Sequence, residues 1–209
     1  MPVETFPLGP LETNSYLLHD AGNAIAVDVG GKPAPMLDFL ARNKLVLTAV
    51  CITHRHFDHV YGVAELAKAT EAPVYVPAKD DCLGETESGR GGIWGFPLVT
   101  PFKSLPMPLG AATIGGFPCE VLDTPGHTPG GVTLYFPDKG LAFTGDALFY
   151  RSIGRTDFPG GDHATLLRAI REVLFKLPDD TLIYPGHGPE TTIGDERKNN
   201  AFCGDFAGR

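Results

Sequence analysis

Three histidines and one aspartate fall within six residues of this chain: His54, His56, Asp58 and His59. Neutral imidazole nitrogens and carboxylate oxygens are ligands for zinc, iron and manganese. The preceding residues, 46–53, predict a buried strand, and an extended backbone directs every second side chain to the same side. The spacing therefore indicates that the first two histidines bind one metal ion, while Asp58 and His59, at the start of a helix, reach a second.

Three more candidate ligands follow short predicted strands further along the chain: His127, Asp146 and His187. They close the runs Thr-Pro-Gly-His, Thr-Gly-Asp and Pro-Gly-His, in which glycine and proline end the strand. The first half of the chain alternates predicted strands and helices, which favours parallel pairing, and sites in such sheets lie beyond the carboxyl ends of strands. Asp28, near the end of an earlier strand, is either a turn cap or a carboxylate that orients a ligand imidazole.

Hydrophobic periodicity and turn residues divide the chain into two series of elements. The first series predicts strands over 3–8, 14–19, 23–29, 46–53 and 73–76, with helices over 33–43 and 60–70. The second predicts strands over 111–114, 119–123, 131–136, 141–144 and 181–184, with helices over 162–176, capped by Asp162, and 195–200. This order predicts an α/β fold in which two sheets pack face to face with helices outside, within a single domain over residues 1–209.

Residues 79–103 match neither series. Glycine is frequent there, the polar run 80–90 shows no periodicity, and Trp94 and Phe96 are isolated aromatic residues. A long segment of this kind is either a flap over a functional site or a disordered insertion. Trp94 would cover the site in the first case, whereas the sole tryptophan of a chain commonly belongs to the core, and the sequence leaves these alternatives open.

The composition limits the classes of protein to which the chain can belong. With 209 residues and 43% hydrophobic residues it is long enough for a full core, and it has no run of about 20 apolar residues that would predict a membrane helix. A formal net charge of −8 argues against a nucleic-acid or membrane-surface partner. The first residues lack the basic start and apolar stretch of a secretion signal, so we expect a cytoplasmic protein whose cysteines are free, buried thiols.

Together the histidine and aspartate motifs resemble the five-part signature of the metallo-β-lactamase fold superfamily. The runs Gly-Asp-Ala-Leu-Phe-Tyr-Arg-Ser-Ile-Gly-Arg-Thr-Asp-Phe-Pro-Gly-Gly, over 145–161, and Tyr-Pro-Gly-His-Gly-Pro-Glu-Thr, over 184–191, are similar to its short bacterial glyoxalase II-like branch, the hydroxyacylglutathione hydrolases. The resemblance spans roughly residues 3–200. It implies a four-layer αβ/βα sandwich of two mixed sheets with helices outside and metals at one edge of the sheets.

The resemblance also implies a role for each candidate ligand. One metal ion would bind His54, His56 and His127, the second would bind Asp58, His59 and His187, and Asp146 would bridge the two. Two cations about 3.5–4 Å apart lower the pKa of a shared water towards neutrality and polarise a carbonyl. The implied reaction is hydrolysis of a thioester, S-(2-hydroxyacyl)glutathione such as the lactoyl conjugate, by a metal-bound hydroxide that Asp58 helps to orient. Zinc is the usual metal of the family, and ligands without thiolate also suit iron or manganese.

The same resemblance indicates residues for substrate binding. Arg155 matches a position where the longer glyoxalase II enzymes have a lysine for the glycine end of glutathione, and a guanidinium group suits a carboxylate. Arg151 and Tyr150 follow Asp146 closely and are candidates for the mouth of the site. The implied partner is a small-molecule thioester, and the sequence gives no oligomeric state.

Other functions of the same fold are alternatives. A persulfide dioxygenase would use one iron(II) on His54, His127 and Asp146. Its last motif usually reads Tyr-Pro-Ala-His-Asp, whereas this chain has Tyr-Pro-Gly-His-Gly, which favours a hydrolase. β-Lactam hydrolysis is disfavoured, because lactamases commonly have cysteine at the position of Asp146. A regulatory protein without catalysis would not need every ligand of the set.

Overall fold

The computed structural model describes residues 2–93 and 95–207. Its residue contacts divide the chain into two compact units. Unit 1 comprises Met1–Met107 and Thr113–Pro118, and unit 2 comprises Pro108–Ala112 and Cys119–Arg209. Each unit contains an apolar core of its own. A single domain over residues 1–209 stays a prediction.

Unit 1 is built on a mixed sheet. Its described strands are β1 (Val3–Leu8), β2 (Thr13–Asp20), β3 (Asn23–Val27), β4 (Val46–Cys51), β5 (Val74–Val76) and β6 (Leu105–Pro106). They lie side by side in chain order, antiparallel from β1 to β3 and parallel from β3 to β6. β3 and β4 are buried along nearly their whole length, which accounts for their almost continuous apolar sequence.

Unit 1 has four described α-helices: α1 (Ala34–Arg42), α2 (Phe57–Val60), α3 (Val63–Thr70) and α4 (Glu87–Arg90). The two longer ones, α1 and α3, present apolar faces to this core. Met36 and Leu40 of α1, and Val63 and Leu66 of α3, pack in one cluster with sheet residues such as Val50. Their spacing of three or four residues places them on one face of each helix, as the sequence predicts.

The second mixed sheet belongs to unit 2, apart from Thr113–Pro118, which is grouped with unit 1 and covers the end of the first strand, the turn and the start of the second. The described strands are β7 (Gly110–Ile114), β8 (Phe117–Asp123), β9 (Val132–Phe136), β10 (Leu141–Gly145), β11 (Leu148–Phe149), β12 (Ser152–Ile153), β13 (Leu182–Pro185) and β14 (Thr191–Thr192). β11 and β12 form a separate hairpin, and the others have the order β14-β13-β10-β9-β8-β7. β9 is antiparallel to β8 and β10, and β10 is parallel to β13. The carboxyl ends of β8, β10 and β13 therefore lie at the same edge.

Unit 2 also carries α5 (His163–Glu172) and α6 (Ile193–Asn199). Asp162 caps α5 as predicted, because its Oδ1 accepts a hydrogen bond from the Thr165 N–H at 2.7 Å. The helix ends at Glu172 rather than at residue 176. Pro178 requires an extended residue before it, and the chain tightens into a 3-10 turn over Leu174–Lys176. Among residues 2–93 and 95–207, no helix has the length and apolar character needed to cross a membrane.

Segment 79–103 has more regular structure than its sequence indicates. A 3-10 helix, Ala78–Glu85, and α4 occupy most of the polar run, and Gly91 forms a β-bridge with Leu98. Three residues per turn and helices of a single turn leave no 3.6-residue pattern to recognise. The alternative of a disordered insertion is therefore wrong for these described residues. The expectation that Trp94 covers a site falls on a residue outside the described part of the chain.

Gly62, between α2 and α3, provides a test of how closely this part of unit 1 is packed. A Cβ there would come 2.0 Å from the Gly31 carbonyl oxygen and 2.5 Å from Val29 Cγ1. Because the backbone cannot move aside cheaply, we expect Gly62→Ala to lower the free energy of unfolding by about 1–3 kcal/mol in denaturant titrations. Glu65→Ala, at an exposed position of α3, is the control and should change it by at most about 0.5 kcal/mol. Equal stability of the two variants would contradict the close contact.

Candidate metal centre

The loop after β4 and the first turn of α2 bring four predicted ligands together in unit 1: His54, His56, Asp58 and His59. These residues expose only 2%, 4%, 9% and 0% of their surface. The ring centroid of His54 lies 4.9 Å from that of His56 and 4.1 Å from that of His59. The extended backbone of His56 (φ −74°, ψ 147°) supplies the alternation that the sequence predicts, and the next residues enter the helix. The four residues form one buried group.

Asp28 is a central hydrogen-bond acceptor of this group. Its Oδ1 accepts from the Thr53 N–H at 2.8 Å, and its Oδ2 accepts from the Thr53 hydroxyl at 2.7 Å and from His59 Nδ1 at 2.8 Å. The residue is 1% exposed and has a left-handed backbone, with φ 54°, which is uncommon for a residue with a Cβ. Of the two roles that the sequence leaves open, Asp28 has the second, because it orients a candidate ligand imidazole.

The hydrogen bonds show which ring nitrogen carries the proton in two imidazoles of unit 1. Asp28 only accepts, so His59 donates from Nδ1. The hydroxyl proton of Thr53 goes to Asp28, so the Thr53 oxygen accepts from His54 Nδ1, which lies 3.0 Å away. Both neutral rings then present the lone pair of Nε2, the form in which imidazole binds a metal ion.

Asp58 accepts a hydrogen bond from a neighbouring strand, and its charge helps to raise the pKa of Tyr61. The Thr13 hydroxyl of β2 donates to Asp58 Oδ2 at 3.0 Å, and His59 Nε2 lies 3.6 Å from the same oxygen. Burial, and after it the negative charge of Asp58, raise the pKa of Tyr61 to about 12. The phenol therefore stays protonated and donates to the Pro97 carbonyl oxygen at 2.9 Å.

Segment 78–98 is also attached to the ligand loop. Asp80, which is fully buried, accepts a hydrogen bond from the Arg55 N–H at 3.0 Å, and the ring of Phe96 lies 5.3 Å from that of Phe57. Sequence reasoning missed Asp80 and Thr13 as residues that support the site. Each stands at least 21 positions from the ligand motif, and an acid in a turn-rich run or a threonine in a strand is no signal for such a role.

The second group of candidate ligands lies at one edge of the sheet of unit 2. His127 follows the turn after β8, Asp146 follows β10 directly, and His187 comes shortly after β13. These strands end at the same edge, and the Gly186 N–H donates to the Gly145 carbonyl oxygen at 2.8 Å, which draws the two loops together. Asp146 Oδ2 lies 3.5 Å from His127 Nε2 and 3.6 Å from His187 Nε2. Asp146 therefore sits between the two histidines.

These separations suit a shared metal ion better than a hydrogen bond. N–H···O bonds in proteins are about 2.7–3.2 Å long. Two ligand atoms about 2.0–2.2 Å from one ion and about 110–120° apart would lie about 3.3–3.8 Å from each other. The His127–Asp146, His187–Asp146 and His59–Asp58 separations, 3.5, 3.6 and 3.6 Å, all fall in this range. In each unit the nitrogen and oxygen donors present thus fit a divalent metal ion.

The ring of His127 is oriented by the backbone of a following loop. Its Nδ1 donates to the Arg155 carbonyl oxygen at 2.7 Å, so Nε2 is the nitrogen that faces Asp146. Gly154 makes this approach possible, because a Cβ there would lie 1.8 Å from the Asp146 carbonyl oxygen and 3.0 Å from His127 Nδ1. Sequence reasoning missed both contributions, since it considered Arg155 for its side chain alone.

Arg151 and Tyr150, two of the residues expected to bind substrate, form the turn between β11 and β12. Tyr150 is 46% exposed, and the Arg151 guanidinium lies over its ring at 4.7 Å. Arg151 Nη1 also pairs with Asp195 Oδ2 at 2.9 Å and with Glu196 Oε1 at 3.0 Å. The hydrogen bond from Arg151, and after it that from Asn199, lower the pKa of Asp195, so the Arg151–Asp195 pair stays ionised. The guanidinium of Arg151 is thus already paired with two acids, Asp195 and Glu196.

Arg155, the third of these residues, is paired with Asp157. Its Nε and Nη2 donate to the two carboxylate oxygens of Asp157, both at 2.7 Å, and its guanidinium carbon lies 3.9 Å from the ring centroid of Phe158. The side chain of Arg155 is 54% exposed, so a small molecule can reach it. The hydrogen bond from Arg155 lowers the pKa of Asp157 to about 2, which keeps this carboxylate charged in ordinary buffers.

Comparison with known proteins identifies the family. The Metallo-beta-lactamase superfamily model matches residues 8–187, a range that includes every candidate ligand. The chain belongs to the metallo-β-lactamase superfamily. YqgX of Bacillus subtilis, a probable metallo-hydrolase, is 36% identical over 96% of this chain and 97% of its own length. Hydroxyacylglutathione hydrolase GloC of Haemophilus influenzae is 35% identical over 97% of this chain and 98% of its own. We therefore describe the chain as a metallo-hydrolase of this superfamily.

Solved structures confirm the predicted fold class. BLEG-1 B3 metallo-beta-lactamase matches with a TM-score of 0.90 and 38% identity, over 97% of this metallo-hydrolase and 99% of that chain. TTHA1623 in a di-iron-bound form matches with a TM-score of 0.87 and 37% identity, over 95% and 99%. ETHE1 from Myxococcus xanthus matches with a TM-score of 0.79 and 30% identity, over 100% and 86%. The fold is α/β of the metallo-β-lactamase type, with two mixed sheets and helices.

Replacement of Asp28 tests whether its hydrogen bonds prepare the metal ligands. We expect Asp28→Asn to weaken divalent-metal binding by about 10–100-fold. An amide has one acceptor oxygen instead of two, so its NH2 group would face a donor of Thr53 or His59. His59 would then lose the carboxylate that keeps its proton on Nδ1. Competition with a chromophoric chelator measures this affinity. Asp38→Asn, at an exposed position of α1, is the matched control and should bind metal as the unsubstituted chain does. Unchanged affinity in Asp28→Asn would show that this carboxylate does not prepare the site.

Proposed function

We propose that this metallo-hydrolase is a dinuclear thioesterase that acts on an S-(2-hydroxyacyl)glutathione such as lactoylglutathione. The observation that carries the proposal is the donor geometry. In each unit an imidazole keeps its proton on Nδ1, and carboxylate oxygens lie 3.5–3.6 Å from imidazole Nε2 atoms. The 35% identity to GloC, a hydroxyacylglutathione hydrolase, over nearly the whole of both chains supports the substrate class. The proposed partner is this small molecule alone, in the cytoplasm, without nucleic acid or membrane.

The proposal distributes the ligands between two divalent ions as the family resemblance implies. One ion would take His54, His56 and His127, the other would take Asp58, His59 and His187, and Asp146 would bridge them. The proposal therefore treats residues 1–209 as one catalytic domain. Zinc is the first choice, and the di-iron-bound form of TTHA1623 supports iron as an alternative, because nitrogen and oxygen donors without thiolate suit zinc, iron and manganese. When bound, the ions would supply an activated water and polarise the thioester carbonyl.

The side chains of the protein would orient the reacting groups. The hydrogen bond from Thr13 holds the carboxylate of Asp58 in one orientation, which suits the proposed role of Asp58 in directing the attacking water. Asp146 lies within 3.6 Å of the Nε2 atoms of His127 and His187, which supports its assignment as the bridge. A thiolate is a good leaving group, so the reaction needs little help from a general acid.

For the glutathione portion, we propose Arg155 as the residue that binds a substrate carboxylate, with Arg151 and Tyr150 near the mouth of the site. Arg155 is exposed enough to accept a ligand, but its guanidinium already binds Asp157 through two hydrogen bonds. A substrate carboxylate must therefore replace Asp157. Arg151 is the weaker candidate, because one of its two acid partners is fully buried and cannot turn away.

This competition gives a prediction for Asp157→Asn. Removal of the competing carboxylate should lower KM for lactoylglutathione by up to roughly fivefold, the scale of an exposed ion pair, without changing kcat. The pKa of Asp157 is lowered to about 2, so this carboxylate stays charged until the pH falls to about that value, and the effect should be constant across neutral pH. A thioester without carboxylates is the control substrate and should keep its KM. An unchanged KM for lactoylglutathione would argue that Arg155 does not bind it.

A second candidate function is that of a persulfide dioxygenase with one iron(II) on His54, His127 and Asp146. It is retained as the alternative that the family resemblance leaves open, and ETHE1 from Myxococcus xanthus is a structural neighbour at 30% identity. The run Tyr-Pro-Gly-His-Gly around His187 favours the hydrolase by resemblance. The similarity to BLEG-1 adds a β-lactam to the substrates to be tested, although an acid rather than a cysteine occupies position 146.

Metal analysis and turnover measured on one preparation separate these functions. We expect two divalent ions per chain, hydrolysis of lactoylglutathione, loss of activity on chelation, and recovery when zinc is restored. Asp146→Ala should abolish turnover, because it removes the ligand shared by both ions. One iron per chain with oxygen consumption on glutathione persulfide would support the dioxygenase, and turnover of a chromogenic β-lactam alone would support a lactamase. Full thioesterase activity after exhaustive chelation, or in Asp146→Ala, would overturn the proposal.

A further inference from the structure

We propose that Glu196, which is not a metal ligand, is a positioning residue that sets the orientation of His127 through the β11–β12 hairpin. The inference rests on the metal centre of the proposed function and adds a residue that prepares it. Glu196 lies in α6, 69 positions after His127, and everything that links the two residues belongs to unit 2.

The β11–β12 hairpin leads directly to the backbone carbonyl group that orients His127. Ile153 ends β12, and the next two residues bring the Arg155 carbonyl oxygen to 2.7 Å from His127 Nδ1. Gly154 lies so close to the Asp146 backbone that a Cβ would come within 1.8 Å of the Asp146 carbonyl oxygen. A small shift of the hairpin would therefore disturb the imidazole and the neighbouring carboxylate together.

Glu196 is the acceptor that holds the turn of this hairpin. Its Oε2 accepts from the Arg151 N–H at 2.8 Å, and its Oε1 accepts from Arg151 Nη1 at 3.0 Å. Thr191 and Asn200 donate to the same two oxygens at 2.7 and 2.8 Å. The Asn200 amide also donates to the Ser152 carbonyl oxygen at 3.0 Å, so Glu196 of α6 and the residue that follows this helix contact both sides of the turn.

Two features show that this contact is more than a surface ion pair. Glu196 is 0% exposed, and a carboxylate is buried at a cost unless its oxygens are well supplied with donors. Arg151 has a left-handed backbone, with φ 57°, which a residue with a Cβ adopts only when its surroundings hold it there. The buried acid fixes a strained turn, and the strained turn sets the position of the carbonyl that accepts from His127.

The test compares metal binding by the intact protein in three variants. Glu196→Gln keeps the shape but loses one acceptor oxygen, and we expect the affinity for Zn²⁺, by chelator competition, to fall by about tenfold. Arg151→Gly suits the left-handed backbone, keeps the N–H that donates to Glu196 and removes the guanidinium contacts with Asp195, Glu196 and the Tyr150 ring, so we expect a well-folded variant with a smaller loss. Arg197→Lys is the matched control, because Arg197 lies on the same helix and its guanidinium donates to the Phe175 carbonyl oxygen. It should lower thermal stability and keep metal affinity within about twofold.

The absorption spectrum of the Co²⁺ form provides a second readout. We expect it to change in Glu196→Gln and to stay constant in Arg197→Lys, because only the first alters the geometry at His127. If the unsubstituted chain binds no metal, the proposed function fails, whatever the variants do. If it binds metal and Glu196→Gln behaves like Arg197→Lys, the inference about Glu196 is overturned and the proposed function stands. Should Glu196→Gln not fold, unchanged affinity in Arg151→Gly overturns it instead.

Discussion

The site depends on where the protons of its imidazoles reside. A neutral histidine can bind a metal ion through one nitrogen only if the other nitrogen carries the proton. In His54, His59 and His127 that proton lies on Nδ1, because each Nδ1 has a neighbouring oxygen that can only accept from it: the Thr53 hydroxyl, the Asp28 carboxylate and the Arg155 carbonyl. With the other tautomer, a ring would turn an N–H towards the metal ion.

The chain meets this requirement in two different ways. In unit 1 a buried carboxylate does so: Asp28 accepts from Thr53 and His59, and by taking the hydroxyl proton of Thr53 it also decides the tautomer of His54. In unit 2 a backbone carbonyl does so, which needs a glycine at 154 for the close approach. Both solutions use unfavourable backbone conformations, φ 54° at Asp28 and φ 57° at Arg151. A residue with a Cβ keeps such a conformation where its surroundings hold it there.

The sequence predicts what depends on local periodicity and little of what depends on distant partners. The two-residue period gives the group of His54 and His56, and the ends of strands give Asp146 and His187, because these relations are set within a few residues of each ligand. The faces of α1 and α3 follow from their apolar spacing. The support from Thr13, Asp80 and Glu196 was not predictable, since each residue is joined to the site only by the folded chain. The 3-10 helix over Ala78–Glu85 was missed because it has no 3.6-residue period.

The ligand set by itself does not select a substrate. BLEG-1, a metallo-beta-lactamase, and GloC, a hydroxyacylglutathione hydrolase, are about equally similar to this chain, at 38% and 35% identity. Selection must therefore come from residues around the ligands, and here the structure is restrictive: Arg151 and Arg155 are each already bound to acids. An anionic substrate gains only the difference between its own carboxylate and the one it displaces, and salt reduces that difference further. A chain of net charge −8 with its candidate cations paired in this way has little attraction for a dianion. Under the proposed function, selection of a thioester would thus arise mainly at the reacting carbonyl, with recognition of the glutathione carboxylates as a smaller contribution.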